Sequence, residues 1–396
     1  MMNVKEITEN IYYVGVDDRT TQFFENLWPL PYGVSYNSYL VRGSEKTALI
    51  DTVLIDTVRE FLSNIGGNTT IDYLVINHME PDHSGSIPEV LELYPDMKII
   101  GNAQTIGMVK GFYNVHDDSR FIQVKDGESI SLGDMSLSFY TIPMVHWPET
   151  MATYVAGRKV LFSGDAFGTF GALNGGVIDV EMDSEIYIPE MYRYYSNIVG
   201  KYGKFVQAAL KKLGGLEVEY ICSTHGPVWH SRIAEVVDIY DRLSAYKSEP
   251  GVVIVYGSMY GNVAQAAGYI ASELARLGVK NVKLHDAAHT PMSEIISDAF
   301  RYEGLVVGSA TYSMRLFPPV EQFMNAMETR EVKGKIFAAF SGYTWAKGPV
   351  IAAFEGYAQR MGMPMLASFA MKQSLNDDSR AEARALAATV AAALKA

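Results

Sequence analysis

Seven histidine and carboxylate residues have the chemistry of metal ligands. Four of them fall within six consecutive residues, His78-Met79-Glu80-Pro81-Asp82-His83, and the other three are His146, Asp165 and His225. Together they offer four imidazoles and three carboxylates. This number suffices for two metal ions with about four protein ligands each, if one carboxylate bridges the two ions. Such a site would keep coordination positions open for a small molecule.

Glu80, the second ligand of the six-residue cluster, favours iron or manganese over zinc. Two-metal hydrolases of the β-lactamase type usually have His-x-His-x-Asp-His here, so Glu80 replaces a nitrogen donor with an oxygen donor. Oxygen-rich donor sets suit hard metals that can change oxidation state. An alternative is that the seven residues are unrelated polar residues of loops. The remaining histidines lack such surroundings and are interpreted as surface or structural residues, with His230 a candidate for contact with a ligand; they are His116, His230, His285 and His289.

Apolar runs lead into the cluster, into Asp165 and into His225, and they predict strands that end at one rim. The runs are Tyr73-Leu74-Val75-Ile76, Val160-Leu161-Phe162 and Tyr220-Ile221-Cys222. Alternation along an extended segment predicts that His78, Glu80 and Asp82 point to a common side. His83 then adds a second direction.

Composition indicates a globular protein of about two domains, since domains average roughly 150 residues and the chain has 396. No apolar run reaches the roughly 18 residues that span a bilayer, and the segment that begins with Met1 lacks the layout of a signal peptide. We therefore expect a cytoplasmic protein without a membrane partner. The net charge of −12 argues against a nucleic-acid partner, and the single cysteine, Cys222, excludes an intrachain disulfide. Redox chemistry would need another carrier.

The chain changes character near Lys247-Ser248-Glu249-Pro250-Gly251, where a helical pattern ends, so we predict domains at 1–248 and 249–396. In the second half, buried parallel strands alternate with helical patterns, as in a doubly wound α/β domain. A last Ala-rich helix is predicted from about Ala381 to Lys395. The predicted strands are Val252 to Tyr256, Leu305 to Val307, Lys335 to Phe340 and Met365 to Phe369.

Three loops after these strands predict a pocket for flavin mononucleotide (FMN). The first joins a strand to a helix, where main-chain N–H groups and the helix dipole hold a phosphate, and it lacks the Gly-x-Gly-x-x-Gly pattern of dinucleotide sites. The other two supply hydroxyls and aromatic faces for an isoalloxazine ring. The alternative is that the aromatic residues only pack on neighbours. The candidate residues are Ser258, Met259, Tyr260, Gly261, Asn262 and Val263, then Ser309, Ala310, Thr311, Tyr312 and Ser313, then Ser341, Gly342, Tyr343 and Trp345.

The ligand pattern in the first half and the segment Ser258-Met259-Tyr260-Gly261-Asn262 resemble the flavodiiron proteins, also called A-type flavoproteins, across almost the whole chain. The resemblance implies a metallo-β-lactamase-like αββα domain followed by a flavodoxin-like doubly wound α/β domain. It implies one iron on His78, Glu80 and His146, a second iron on Asp82, His83 and His225, and Asp165 as the bridge.

The resemblance implies an enzyme that uses electrons from FMN to reduce dioxygen to water, nitric oxide to nitrous oxide, or both. It also implies the two-domain form without fused rubredoxin, a separate electron donor such as rubredoxin or a reductase, and a head-to-tail homodimer or a dimer of dimers. Trp147 and Tyr194 are candidates for the pocket wall.

Two departures concern details of flavin binding: Val263 stands where a threonine is frequent, and Ser313-Met314 where relatives carry asparagines. Two other functions remain open. One is a zinc hydrolase with an accessory flavodoxin-like domain, and the other is an electron carrier with a vestigial metal site. The preferred gas and the identity of the donor are not determined by these residues.

Overall fold

The chain divides into two compact units, Met1–Ser244 and Ala245–Ala396. The structure is a computed structural model that describes residues 5–66 and 69–394. The predicted domains 1–248 and 249–396 meet a few residues further along the chain, and their bounds stay a prediction. Residues 1–4, 67–68 and 395–396 of those domains lie outside the described residues.

Sixteen short strands occur in the described part of the first unit. They are β1 (Lys5–Thr8), β2 (Ile11–Tyr13), β3 (Val16–Asp18), β4 (Phe23–Phe24), β5 (Trp28–Pro29), β6 (Val34–Tyr36), β7 (Tyr39–Arg42), β8 (Thr47–Ile50), β9 (Tyr73–Val75), β10 (Lys98–Gly101), β11 (Phe121–Gln123), β12 (Ser129–Ser131), β13 (Ser136–Thr141), β14 (Met151–Val155), β15 (Val160–Gly164) and β16 (Tyr220–Ser223).

These strands form two main sheets and two small two-stranded sheets. The larger sheet has the order β1-β2-β7-β8-β9-β10-β11, and the smaller has the order β12-β13-β14-β15-β16. Side chains of the two sheets contact each other, since the rings of Tyr39 and Phe162 lie 5.2 Å apart and Thr153 Oγ1 donates to Asn77 Oδ1 over 2.7 Å. The strands predicted before the cluster, Asp165 and His225 are confirmed as β9, β15 and β16.

Seven α-helices accompany the sheets within the described residues of the first unit. Local sequence explains two of their ends. The Asn102 side chain caps α4 by accepting hydrogen bonds from the main-chain N–H groups of Gln104 and Thr105. Pro81 stands in the first turn of α2, where a missing N–H costs nothing. The helices are α1 (Val58–Ile65), α2 (Pro81–Ser84), α3 (Ile87–Leu93), α4 (Ala103–Tyr113), α5 (Tyr187–Tyr194), α6 (Gly203–Leu213) and α7 (Ile233–Ser244).

The second unit alternates strands and helices along the chain. The elements are β17 (Glu249–Gly257), α8 (Asn262–Arg276), β18 (Val282–Asp286), α9 (Met292–Arg301), β19 (Tyr302–Tyr312), β20 (Arg315–Leu316), α10 (Pro318–Thr329), β21 (Ile336–Tyr343), α11 (Pro349–Arg360), β22 (Met365–Lys372) and α12 (Asp377–Ala393).

The main sheet of this unit has the order β18-β17-β19-β21-β22, with parallel neighbours throughout. This order is that of a doubly wound flavodoxin-like sheet, and the four predicted strands are confirmed. Helices α8 and α12 cover one face, where Ile254, Val306 and Phe340 join their apolar side chains. The predicted last helix begins earlier, at Asp377, behind the cap of Asn376, and Lys395 lies outside the described residues. Among residues 5–66 and 69–394, no helix has the length and apolar character to cross a bilayer.

Candidate metal centre and flavin pocket

The seven predicted ligands lie at the ends of strands from both sheets of the first unit. The six-residue cluster follows β9 and turns into α2. His146 lies in the loop between β13 and β14, Asp165 follows β15, and His225 follows β16. Because β15 and β16 are parallel neighbours, their carboxyl ends meet at one edge. All seven side chains are buried.

The structure sorts these side chains into two groups, which we call site A and site B. Site A contains His78, Glu80 and His146 together with Asp165, and one donor atom from each lies within 4.8 Å of the others. The remaining residues, Asp82, His83 and His225, form site B under the same limit.

Asp165 stands between the two sites. Its Oδ2 lies 3.1 Å from His146 Nε2 and 3.5 Å from His78 Nε2, both in site A. Its Oδ1 lies 3.0 Å from His83 Nε2 in site B. One carboxylate therefore presents one oxygen to each group, which is the geometry that a bridging ligand needs.

The expectation that His78, Glu80 and Asp82 share a side is wrong for Asp82. The chain is not extended through the cluster, because the helix α2 begins at Pro81. The helical turn carries Asp82 to site B, where its Oδ2 lies 3.3 Å from His83 Nε2 and 3.2 Å from His225 Nε2.

The donor atoms fit metal ions because many have no hydrogen-bond partner of their own. Among the residues that the structure describes, both carboxylate oxygens of Asp82, both nitrogens of His83, His225 Nε2 and Asp165 Oδ2 are buried without one. Buried polar atoms without partners are costly. A cation in each group would satisfy these atoms.

The electrostatics of the group point the same way. Burial alone would raise the pKa of Asp165, but the imidazoles of His78 and His83 outweigh burial and lower that pKa well below its usual range. Burial alone would lower the pKa of His146, whereas the neighbouring carboxylates of Asp165 and Glu80 raise that pKa to about 9. The Asp165 carboxylate is thus held in its charged form, which is the form that binds a cation.

Three residues beside the ligands were not predicted from the sequence. Glu149 accepts a hydrogen bond of 2.9 Å from His78 Nδ1, and the carbonyl of Ser35 accepts one of 2.7 Å from His225 Nδ1. Glu25 lies next to Glu80, and its pKa is raised to about 7 by burial and by the Glu80 charge. Glu25 could have been suspected as an acidic residue between Phe23-Phe24 and Trp28, but Ser35 acts through its main chain.

Aromatic side chains enclose the site, including both predicted wall residues. Trp147 packs edge-on against His78, with ring centroids 5.3 Å apart. The rings of Tyr194 and Phe24 lie 5.5 and 5.3 Å from the ring of His225. The Tyr194 hydroxyl is buried, and no described residue bonds to it. The site is therefore shielded from water on these sides.

The other histidines lie apart from both groups. His230 stacks on Tyr220 at 4.4 Å and bonds through Nδ1 to the Glu219 carbonyl. His230 belongs to neither group of ligands found among the described residues. Among the described residues, the groups of potential metal ligands include none of the remaining histidines, which are His116, His285 and His289.

The second unit contains a cavity of about 310 Å³ at the carboxyl edge of its sheet. Ser258, Met259 and Tyr260 form one wall. Ser258 Oγ accepts a bond of 3.1 Å from the Gly261 N–H, so its own proton points elsewhere, and the first turn of α8 has no side-chain cap. A phosphate would satisfy these donors.

Most of the predicted flavin residues line this cavity, and a few do not. Ser309 is buried, and its Oγ accepts from the Phe317 N–H over 2.8 Å, so it supports the loop. Gly261, Tyr312 and Ser341 also lie outside the lining. The lining residues are Ser258, Met259, Tyr260, Asn262, Val263, Ala310, Thr311, Ser313, Met314, Gly342, Tyr343, Thr344, Trp345, Ala346 and Gln373.

Two features of the loops explain local sequence choices. Gly342 approaches Val263 so closely that a Cβ there would lie 2.9 Å from Val263 Cγ2. Ser313 and Met314 have φ of 48° and 64° in the two-residue turn between β19 and β20, a conformation that favours asparagine and glycine. The departure at these two positions thus places less suitable residues in a strained turn.

Known families match each half of the chain. Residues 34–226 match the ODP family beta lactamase, and residues 254–380 match the flavodoxin family. An uncharacterized protein of Methanocaldococcus jannaschii is 34% identical, over 87% of each chain. The anaerobic nitric oxide reductase flavorubredoxin of Escherichia coli is 33% identical, over 86% of this chain and 72% of that protein.

Solved structures agree over almost the whole chain. The rubredoxin oxygen:oxidoreductase of Desulfovibrio gigas superposes with a TM-score of 0.93 at 29% identity and 99% coverage of both chains. A mutant flavo di-iron protein of Thermotoga maritima gives a TM-score of 0.90 at 25% identity, covering 100% of this chain and 99% of that one. This chain thus combines the two-domain architecture with a paired donor set for two irons and a pocket for FMN, and it belongs to the flavodiiron protein family.

Proposed function

We propose that this oxidoreductase reduces dioxygen to water, nitric oxide to nitrous oxide, or both, with electrons from FMN. The observation that carries the proposal is the Asp165 carboxylate, which faces site A with one oxygen and site B with the other. The Escherichia coli relative is named for nitric oxide and the Desulfovibrio gigas protein for oxygen. Both gases are therefore proposed.

In this proposal the residues of site A would hold one iron and those of site B the other, with one Asp165 oxygen offered to each. When bound, FMN would supply electrons and the two irons would supply open positions for reduction of the diatomic gas. The protein fixes the donor atoms and, through Trp147 and Tyr194, keeps bulk water from the pocket. In the second unit, Ser258 and the first turn of α8 would hold the FMN phosphate, and the two later loops would flank its ring.

We also propose a head-to-tail homodimer, or a dimer of such dimers, fed by a separate donor protein such as rubredoxin or a reductase. Each unit has an exposed apolar patch beside its site. In the first unit the patch contains Phe23, Leu27 and Tyr32, and beside the flavin cavity Tyr260 and Trp345 are 90% and 89% exposed. The net negative charge lies in residues 1–244, which carry −14, whereas residues 245–396 carry +2. The second unit of another copy would therefore not be repelled by the first unit. Cytoplasmic localisation stays a prediction from the sequence.

The dimer can be tested at the patch of the first unit. Leu27→Glu should shift the protein towards monomers in sedimentation velocity and lower turnover at high dilution, because it places a charge in an apolar contact. Leu366→Glu, at an exposed leucine of the second unit that lies outside the cavity lining, is the control. A wild-type protein that is monomeric with full activity would contradict the dimer.

Gas consumption tests the function itself. Protein loaded with about two iron ions per chain and with FMN should, after anaerobic chemical reduction, consume at least one of the two gases, and the ratio of the rates gives the preference. His225→Ala should suppress consumption. His230→Ala, a nearby histidine outside both sites, should not. If iron- and flavin-replete wild type consumed neither gas, the proposal would be wrong.

The same preparation separates the alternatives. A zinc hydrolase would purify with zinc, whereas an electron carrier with a vestigial site would hold FMN and consume no gas. The Glu80 carboxylate in site A, whose Oε2 lies 2.9 Å from His146 Nε2, favours iron over zinc.

A further inference from the structure

Glu149 is a fully buried carboxylate that belongs to neither site. Its Oε1 accepts hydrogen bonds of 2.9 Å from His78 Nδ1 and 2.9 Å from the Met79 N–H. Its Oε2 is buried, and no described residue bonds to it. Burying a charged carboxylate costs several kcal/mol unless it is compensated, so its place beside a ligand histidine needs a reason.

The bond from His78 to Glu149 determines which nitrogen of His78 is available. A carboxylate can only accept, so the proton lies on Nδ1 and the lone pair lies on Nε2. That Nε2 atom lies 3.3 Å from Glu80 Oε2 and 3.5 Å from Asp165 Oδ2, on the side of the donor atoms of site A. Glu149 therefore orients His78 for metal binding.

The corresponding contacts in site B are weaker. His225 donates to a neutral main-chain carbonyl, that of Ser35, and His83 Nδ1 is buried with no partner among the described residues. In addition, the Thr224 hydroxyl donates over 2.5 Å to Asp165 Oδ1, the oxygen that faces site B. A bond to a charged acceptor polarises the donor more strongly than one to a neutral acceptor. Each difference leaves more electron density on the donors of site A.

We propose that Glu149 is a positioning residue that makes site A the more electron-rich of the two sites. The iron in site A is then harder to reduce and more tightly held than the iron in site B. This inference rests on the ligand sets of the proposed function and adds to them an inequality between the two irons. Residues that hydrogen-bond a metal ligand typically change metal affinity by about 10- to 100-fold when they are replaced.

Glu149→Gln tests the proposal, because glutamine keeps the shape and an acceptor oxygen but removes the charge. In the iron- and FMN-loaded protein, one of the two irons should become about 10- to 100-fold easier to remove with a chelator, while the other is unchanged. In a redox titration followed by Mössbauer spectroscopy, the lower of the two iron potentials should rise and the higher should stay.

Asp179→Asn is the matched control. Asp179 is also a buried carboxylate, and it accepts hydrogen bonds from the main-chain N–H groups of His230, Ser231 and Arg232. It belongs to neither metal site found among the described residues. The Asp179→Asn variant should leave the affinities and the potentials of both irons at their wild-type values. Equal changes at both irons in Glu149→Gln, no change at either, or the same change in Asp179→Asn would each overturn the proposal.

A measurement on the wild type keeps the proposal testable if the variant does not fold. With zinc in place of iron and ¹⁵N-labelled histidine, one ligand imidazole should show a strongly downfield, exchange-protected Nδ1 proton whose resonance identifies His78. Its absence would overturn the proposal. Neither this spectrum nor the chelator assay depends on gas reduction, so failure of the inference and failure of the proposed function are distinguishable.

Discussion

Asp165→Asn is expected to weaken metal binding at site A and site B together. The reason is the position of the carboxylate, whose Oδ2 lies 3.1 Å from His146 Nε2 and whose Oδ1 lies 3.0 Å from His83 Nε2. Asparagine preserves the shape and can still accept the bond from Thr224. The charge that is shared by two cations is lost, while the local fold is retained.

The magnitude follows from comparison with milder changes. Removing a residue that only hydrogen-bonds a ligand costs about 10- to 100-fold in affinity, so loss of a charged ligand should cost at least about 100-fold for each ion. Since tenfold corresponds to about 1.4 kcal/mol, this is about 3 kcal/mol per ion. Iron retained per chain during competition with a graded series of chelators gives both affinities.

Two further variants make the Asp165 experiment decisive. Asp82→Asn removes a ligand from site B only and should weaken one ion, and Asp179→Asn should weaken neither. If Asp165→Asn released one ion as readily as Asp82→Asn does and left the other at its wild-type affinity, Asp165 would not be a bridge. The reasoning from its two oxygens would then be refuted.

Three other outcomes are expected. Glu80→His should favour zinc and suppress gas reduction, because it replaces an oxygen donor of site A with a nitrogen donor. Metal analysis and a gas electrode measure the two effects, and a variant that retains iron and full activity would contradict the prediction. Ser258→Ala should weaken FMN binding about 10-fold in a fluorescence titration, because a hydrogen bond to a charged group contributes roughly 1.5 kcal/mol. The control is Ser272→Ala, on the exposed side of α8, which should leave FMN binding unchanged. Burial lowers the pKa of Lys335 to about 7, so the unfolded chain binds this proton more strongly and the unfolding free energy should rise as the pH increases from 7 towards 10. In urea unfolding at several pH values, the unfolding free energy of Lys335→Met should not show this rise. If it rose equally in the wild type and in Lys335→Met, other groups would be the cause.

The fold was predictable where burial leaves a simple pattern. Strands β17, β19, β21 and β22 of the second unit have runs of apolar residues, because parallel strands are covered on both faces. Strand β18 was missed because it lies at the edge of the sheet, where Lys283 and His285 interrupt the apolar run. An edge strand is recognised by its neighbours, and a single sequence does not show them.

The seven metal ligands were predictable as a set, but their spacing in the sequence does not show which of them belong to site A and which to site B. His and carboxylate residues after strands identify the site, since strand ends converge in such folds. The side on which Asp82 lies depends on the helical turn that begins at Pro81, and an extended segment was assumed. Glu149 is separated from His78 by 71 residues in the sequence, so only the folded chain reveals their hydrogen bond.

Both sites draw ligands from both sheets of the first unit. In site A, His78 follows β9 of the larger sheet and Asp165 follows β15 of the smaller one, and in site B, His83 and His225 are divided in the same way. Without metal, buried carboxylates and imidazoles face each other with several atoms unpaired, which costs folding free energy. A cation that binds the folded state removes this cost and connects the two sheets, so metal affinity and stability of the first unit are coupled. The donor set that prepares the site for chemistry is therefore also where the fold depends most on its metal.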